Sequence, residues 1–187
     1  MKRCIALVLL VASGLIAQVP PQTAAKSSSQ AAGQAPAKPD PWLALRFLMG
    51  SWEAKTTGGV AQAQVSAGYA FRLELRDHVL ARHSRSSACS SPDDFECLHS
   101  DILYIYPAGN GQTLQAIYFD NEGHVIRYDV SMPKPESMVL LSDAAQAGPQ
   151  YRLSYELLNG VLTGKSELKM PGEADFISYL EWSGRRR

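Results

Sequence analysis

The chain has 187 residues, which suits one folded domain with a tail or linker to spare. Hydrophobic residues make up 45% of the sequence, enough for a substantial core. The 18 basic and 18 acidic side chains balance, and without a basic excess nothing favours nucleic acid as a partner.

Residues 1–17 are typical of a secretory signal peptide. Two basic residues precede an apolar run, Ile5–Ala12, and small residues follow it. The run is too short to span a bilayer, so we expect no transmembrane segment once the signal is removed. Cleavage is expected after Ala17, with Ala24 and Ala25 as alternative sites. The sequence therefore predicts a periplasmic or secreted protein.

Residues 18–39 are rich in alanine, glutamine, serine and proline, and they contain no aromatic side chain. Such a segment buries too little apolar surface to offset the conformational entropy that folding removes. We therefore expect a disordered linker here. A single folded domain should follow over residues 40–187.

The domain opens with a short amphipathic helix that leads into the first strand. Asp40 suits the N-cap of this helix, Pro41 its first position and Gly50 its end. So short a helix must pack against another element, because an isolated helix of this length is marginal in water. The simplest partner is the open end of a β-barrel, closed there by Trp52, although any sheet could serve.

From Val60 onward, the sequence has the pattern of strands and turns. Residues 65–75 and 151–158 alternate between apolar and polar side chains, as half-buried strands do. Turn signals recur about every twelve residues, and Asn159-Gly160 matches a type I′ hairpin. The ten candidate strands lie near 52–57, 62–75, 79–87, 99–106, 112–120, 124–131, 137–143, 150–158, 161–170 and 175–183.

This turn spacing is typical of a β-barrel or a β-sandwich. Short loops favour an up-and-down meander, and so many strands in one open sheet would leave long unpaired edges. We therefore predict an all-β fold, a single antiparallel up-and-down barrel of about ten strands with the N-terminal helix closing one end. A barrel of this size encloses a space, so the interior is the expected site.

Two cysteines, Cys89 and Cys97, remain after removal of the signal peptide. They lie eight positions apart and flank a Ser-Pro-Asp loop. In an exported protein this spacing favours a structural disulfide. A redox or metal role would call for a C-x-x-C motif or paired histidines close by, and the loop contains neither.

The histidines form no H-x-H or H-E-x-x-H motif, and we interpret all four as surface or turn residues. A two-histidine metal site is an alternative for His83 and His99, which border the cysteine loop. The full set is His78, His83, His99 and His124.

No motif in the sequence indicates catalysis. Asp93, Asp94 and Glu96 cluster in the cysteine loop, but an exposed loop does not separate the pKa values of neighbouring carboxyl groups. No G-x-S-x-G motif supports a nucleophilic serine. We therefore expect a binding protein rather than an enzyme, with no catalytic residue and no metal site.

Aromatic side chains fall on several strands, often at positions that face the apolar side. Inside a cavity, a tyrosine offers an apolar ring and a hydroxyl group that can meet a ligand. Alternatively, these side chains pack together and bond to one another. The candidate ligand-binding residues are Tyr69, Phe71, Tyr104, Tyr118, Tyr128, Tyr155 and Met170.

The stretch F-L-M-G-S-W at Phe47–Trp52 resembles the L-x-G-x-W opening of calycin barrels. Among these barrels, the chain is similar to the nitrobindin-type haem-binding proteins and their lipocalin-like relatives of unknown function. The resemblance spans residues 40–187 and includes a last strand that ends in arginines. It implies a lipocalin-like barrel fold.

The same resemblance implies a candidate haem ligand in the last strand. Nitrobindin-like proteins bind haem through a histidine of the last strand, and Tyr179 stands at the comparable position here. A tyrosinate can ligate ferric haem, so the resemblance makes Tyr179 a haem-ligand candidate, although we expect no cofactor. The apolar face of this strand contains Leu180 and Trp182, which predicts that Tyr179 points outward.

Three functional hypotheses follow. We predict an exported protein that holds a small apolar or amphipathic molecule inside its barrel. The first alternative is a haem-binding barrel that acts on reactive nitrogen species. The second is a filled scaffold that acts through its surface, for example through Arg185–Arg187 or the disulfide loop.

Overall fold

The computed structural model describes residues 40–93, 95–109, 111, 113–144 and 148–187. The predicted signal peptide and linker lie outside the described residues, as does Asp94. Within the described part of the chain, no helix combines the length and apolar character needed to cross a membrane.

Ten antiparallel strands form one closed barrel in which sequence neighbours pair and β1 pairs with β10. This confirms the predicted all-β, up-and-down barrel, an architecture compatible with the calycin-like fold. The strands are β1 (Gly50–Gly58), β2 (Gln64–Glu74), β3 (Val79–Ser90), β4 (Ser100–Pro107), β5 (Leu114–Asp120), β6 (Val125–Ser131), β7 (Ser137–Ser142), β8 (Gln150–Leu158), β9 (Val161–Lys169) and β10 (Ile177–Arg186).

The helix before β1 is a 3₁₀ helix, Leu43–Leu48, and its N-cap is Trp42 rather than the predicted Asp40. The Asp40 carboxylate instead accepts a hydrogen bond from the backbone N–H of Trp42 at 2.9 Å and so orders the preceding turn. Gly50 does not end the helix either, because it is already the first residue of β1, at a φ of +118°.

The helix and the adjacent strand ends form a filled base in one half of the barrel. The indole of Trp52 donates a hydrogen bond to the carbonyl oxygen of Leu48 at 2.8 Å, which ties β1 to the helix. Large side chains fill the space behind this contact, and none exposes as much as 3% of its surface: Trp52, Tyr155, Phe71, Leu45, Leu48, Leu80, Leu103, Ile105, Met138, Leu140 and Leu162.

The predicted turn at Asn159-Gly160 is confirmed, whereas the position that alternation predicts for Leu75 is wrong. Asn159 and Gly160 both have positive φ, 52° and 77°, as a type I′ turn requires. Leu75, however, is exposed rather than on the apolar face, because β2 ends at Glu74 and the chain turns there.

The contact between Gly164 of β9 and Trp182 of β10 leads to a stability prediction. A Cβ atom at Gly164 would lie 2.3 Å from the indole ring, so Gly164→Ala must displace Trp182. We expect the free energy of unfolding, measured by urea denaturation, to fall by about 1–3 kcal/mol.

Gly68→Ala is the matched control, because a Cβ atom on this glycine of β2 meets nothing within 4 Å. This variant should keep or slightly increase stability, since glycine within a strand is less favourable than alanine. Equal losses in the two variants would contradict the close packing of Gly164 against Trp182.

Candidate functional site

The half of the barrel opposite the base encloses a cavity of about 390 Å³. Cavities that bind small molecules typically span about 300–1,000 Å³, so this one suits a small ligand. Apolar side chains form much of its wall: Val65, Ala67, Ile126, Leu153, Leu168, Leu180 and Trp182.

A buried ion pair lies between the filled base and the cavity. Arg82 of β3 and Asp101 of β4 are 6% and 7% exposed, and Nη2 of Arg82 donates to Oδ1 of Asp101. The other terminal nitrogen of Arg82 donates to the hydroxyl of Tyr155. Burial alone would raise the pKa of Asp101, but the charge of Arg82 and the hydrogen bond from His99 outweigh it and lower that pKa.

His99 connects this ion pair to the mouth of the cavity. Its Nε2 atom lies 3.3 Å from Oδ2 of Asp101 and 3.1 Å from the hydroxyl of Tyr118. Its Nδ1 atom lies 2.8 Å from Oε1 of Glu122. The hydrogen bond to Asp101 raises the pKa of His99, against the opposing effect of burial.

The turn between β5 and β6 places two carboxylates beside His99. Oδ1 of Asp120 accepts hydrogen bonds from the backbone N–H groups of Glu122 at 3.0 Å and His124 at 2.9 Å. One potential ligand atom each from His99, Asp120 and Glu122 lies within 4.8 Å of the others. Imidazole nitrogen and carboxylate oxygen are both zinc ligands, so these residues could hold a metal ion.

The predicted disulfide between Cys89 and Cys97 is present, with Cα atoms 5.4 Å apart. The loop that it closes contributes to the rim of the cavity. The ring of Phe95 stacks on that of Tyr179, with centroids 6.4 Å apart and planes at 22°, and both residues line the cavity. The rim is therefore partly built by a covalently closed loop.

The structure brings three of the predicted ligand-binding residues, Tyr69, Tyr118 and Tyr128, to the cavity wall. Phe71 and Tyr155 lie in the core, where their rings meet edge to face at 5.5 Å. Neither is among the residues that line the cavity.

Tyr104, Met170 and Trp52 lie elsewhere. Tyr104 alternates with inward-facing neighbours on β4, and its ring meets that of His83 on the outer face at 6.4 Å. Met170 follows the end of β9 and is 47% exposed. Trp52 belongs to the filled base.

Tyr179 lies at the mouth of the cavity, although the alternation of β10 predicts an outward orientation. The pairing register between β10 and β9 shifts between Ser178 and Leu180, which breaks the simple alternation at Tyr179. Leu180 and Trp182 line the cavity as expected.

Sequence reasoning did not identify Arg82 and Asp101 as residues of the site, and it considered His99 only as an alternative metal ligand paired with His83. A signal exists for the first two, because Arg82 shares the inward parity of Leu80, and Asp101 that of Leu103. A charged residue at an apolar position on each of two adjacent strands indicates a buried pair.

His83 and His99 do not meet across the barrel wall. His83 is exposed and hydrogen-bonds Glu74 on the outer face at 2.9 Å, whereas His99 faces the cavity. His99 and His124 are therefore the histidines that line this cavity. The sequence suggested a metal role for His99 only, as the alternative pair with His83, and none for His124.

A scan against protein-family models returned no match, and neither did a search of curated proteins. The closed ten-strand barrel agrees with the architecture that the resemblance to calycins implies. Function is therefore inferred from the chemistry of the cavity.

The raised pKa of His99 predicts a pH-dependent stability. Protonated His99 stabilises the fold fully below its ordinary pKa of 6.5, and this contribution is lost as pH rises through the raised folded-state value. The unfolding free energy of the wild type relative to His99→Gln should therefore decrease with rising pH. Urea denaturation at a series of pH values would measure this difference.

His83→Gln is the matched control, because it makes the same substitution at an exposed histidine of the outer face whose ring bonds Glu74 rather than Asp101. A difference between wild type and His99→Gln that stays constant across the series would show that His99 gains no proton-linked stability from Asp101.

Proposed function

We propose that this protein is exported and binds a small, uncharged amphipathic molecule inside its barrel. The observation that carries the proposal is a cavity of about 390 Å³ with an apolar wall and a buried polar group at its inner end. A pocket that is largely apolar and holds a few placed polar groups is the usual form of a small-molecule site.

The apolar wall supports binding of a hydrocarbon body. Leu153, Leu168 and Leu180 line the cavity together with the indole of Trp182. Transfer of an alkyl chain from water to such a surface contributes about 0.8 kcal/mol for each buried methylene group.

The charges that line the cavity argue against an anionic ligand. Four carboxylates, those of Glu96, Asp101, Asp120 and Glu122, line it against two lysine or arginine side chains. Arg82 already pairs with Asp101, so its charge is not available to a carboxylate ligand. A fatty acid is therefore disfavoured relative to its uncharged analogues.

The buried tyrosines support recognition of a neutral polar group. Burial raises the pKa of Tyr118 and of Tyr128, so both phenols keep their protons near neutral pH. A phenol both donates and accepts hydrogen bonds, so it can satisfy an alcohol, ketone or amide.

Export is supported by the disulfide between Cys89 and Cys97, since such bonds persist mainly in oxidising compartments. The signal-like segment at residues 1–17 points the same way.

Fluorescence titration with N-phenyl-1-naphthylamine, a neutral apolar probe, tests the cavity. We expect saturable binding to the purified chain in the presence of a chelator, with competition by 1-decanol at lower concentration than by decanoate. Ala67→Phe should abolish binding, because Ala67 lines the cavity and the larger ring fills it. Trp182, also in the wall, should report the ligand through a change in its emission.

Ala70→Phe is the matched control, with the same substitution on the same strand. Ala70 pairs with the outward-facing His83, so the added ring lies outside the barrel and binding should persist. Absence of saturable binding, or equal loss in both variants, would favour the filled-scaffold hypothesis instead. Tighter binding of decanoate than of decanol would overturn the charge argument.

Haem is a second candidate ligand because Tyr179, the residue that the nitrobindin resemblance singles out, lies at the cavity wall. If haem binds through this tyrosinate, titration with haemin should produce a Soret band that Tyr179→Phe alters or removes. Tyr104→Phe, on the outer face, should leave the band unchanged. A protein without a Soret band would end this candidate and the activity on reactive nitrogen species that it implies.

A further inference from the structure

We propose that His99, Asp120 and Glu122 bind one divalent transition-metal ion at the mouth of the barrel, with Zn²⁺ as the ion that suits their donor atoms. The proposal goes beyond the binding of an organic molecule and does not depend on it. The site can bind a metal whether or not the apolar wall holds a ligand.

Backbone contacts hold the three residues together before any ion binds. His99 immediately precedes β4, Asp120 ends β5, and Glu122 lies in the turn that follows. Asn121 fixes that turn against the start of β4, because its side-chain oxygen accepts a hydrogen bond from the backbone N–H of Ser100 at 2.8 Å. The backbone N–H of Asn121 also donates to the carbonyl oxygen of Ser100 at 3.1 Å.

The ring of His99 has the orientation of a metal ligand. Asp101, a buried carboxylate, lies behind Nε2, and the hydroxyl of Tyr118 bonds the same nitrogen. With its proton on Nε2, the ring turns the lone pair of Nδ1 toward Glu122. Metal-ligating histidines usually donate their second ring nitrogen to a carboxylate in this way, which fixes the tautomer and strengthens the ligand.

The carboxylates of this group lack a strong cationic partner. Asp120 pairs with His124 at 2.8 Å and Glu122 with His99 at 2.8 Å, and among the ion pairs of the described residues neither carboxylate meets a lysine or arginine. A proton on His99 compensates part of this negative charge, whereas a divalent cation compensates both carboxylates.

The spacing requires only a small adjustment. Zn²⁺ takes nitrogen and oxygen ligands at about 2.0–2.2 Å, which puts tetrahedral ligand atoms about 3.4 Å apart. The three candidate atoms already lie within 4.8 Å of one another. The side chain of Glu122 is 38% exposed and can rotate without moving a strand.

The donor set selects the class of ion. One imidazole nitrogen with two carboxylate oxygens suits Zn²⁺ and its first-row neighbours, whereas Ca²⁺ takes six to eight oxygen ligands. Three protein ligands also leave a coordination position for water or for a polar atom of a molecule in the cavity.

Isothermal titration calorimetry of the untagged, disulfide-bonded full chain with ZnCl₂ tests the site. We expect one Zn²⁺ per chain that CaCl₂ does not displace. Glu122→Gln keeps a hydrogen-bond acceptor for His99 but removes a charged metal ligand. Loss of a residue that only hydrogen-bonds to a metal ligand typically lowers metal affinity 10- to 100-fold, so the affinity for Zn²⁺ should fall by at least that much. Asp120→Asn keeps the turn contacts and should weaken binding similarly.

Glu74→Gln is the matched control, because it removes the carboxylate from the exposed His83–Glu74 pair of the outer face, whose 2.9 Å separation is close to the 2.8 Å between His99 and Glu122. It should bind Zn²⁺ as the wild type does. No stoichiometric binding by the wild type, or equal weakening in Glu74→Gln and Glu122→Gln, would overturn the site. Such a result, with N-phenyl-1-naphthylamine binding retained, would leave the proposed function intact.

Discussion

The buried ion pair between Arg82 and Asp101 is the interaction on which the rest of the site depends. Two charges in a barrel interior carry a desolvation cost that their attraction offsets only with good geometry and further hydrogen bonds. Here Arg82 donates one to the hydroxyl of Tyr155, and Asp101 accepts one from His99. Apolar residues of similar volume would often stabilise a protein as well or better. The pair therefore makes more sense as the support of a polar site than as a source of stability. Its carboxylate, Asp101, orients the ring of His99 through Nε2, and the pair keeps the inner end of the cavity polar.

The cavity can stay open because the other half of the barrel is filled. Trp52, Phe71 and Tyr155 bring large rings to that half. The edge-to-face contact of Phe71 with Tyr155 adds stabilisation beyond that of the apolar area that they bury. In an antiparallel meander, one strand can contribute one end to the base and the other to the cavity, as β3 does with Leu80 in the base and Ser84 in the cavity wall. Substitutions near the mouth, such as Ala67→Phe, therefore act on binding with little effect on the core.

The sequence predicts the architecture well and the site only in part. Alternation and turn residues are local signals, and they were sufficient for ten strands and the Asn159-Gly160 turn. The spacing of Cys89 and Cys97 was likewise sufficient for the disulfide. The 3₁₀ form of the first helix was not predictable, because its helical spacing does not distinguish it from an α-helix. The site is a matter of register: Arg82 and Asp101 are 19 positions apart, and only the pairing of β3 with β4 brings them together. Tyr179 lies at the mouth because the pairing of β10 with β9 shifts register there, and the alternation of side chains along the sequence does not reveal such a shift.

The two proposed occupants are linked by charge even though each can bind alone. Without a metal ion, the cavity lining has two more carboxylates than lysine or arginine side chains, and an uncharged molecule is favoured. A divalent cation held by His99, Asp120 and Glu122 would cancel that excess and place a Lewis acid beside the mouth. An anionic or metal-coordinating group would then become the better partner, so the preference for neutral amphiphiles belongs to the metal-free barrel. Because linkage is reciprocal, an anionic ligand would also tighten the binding of the metal.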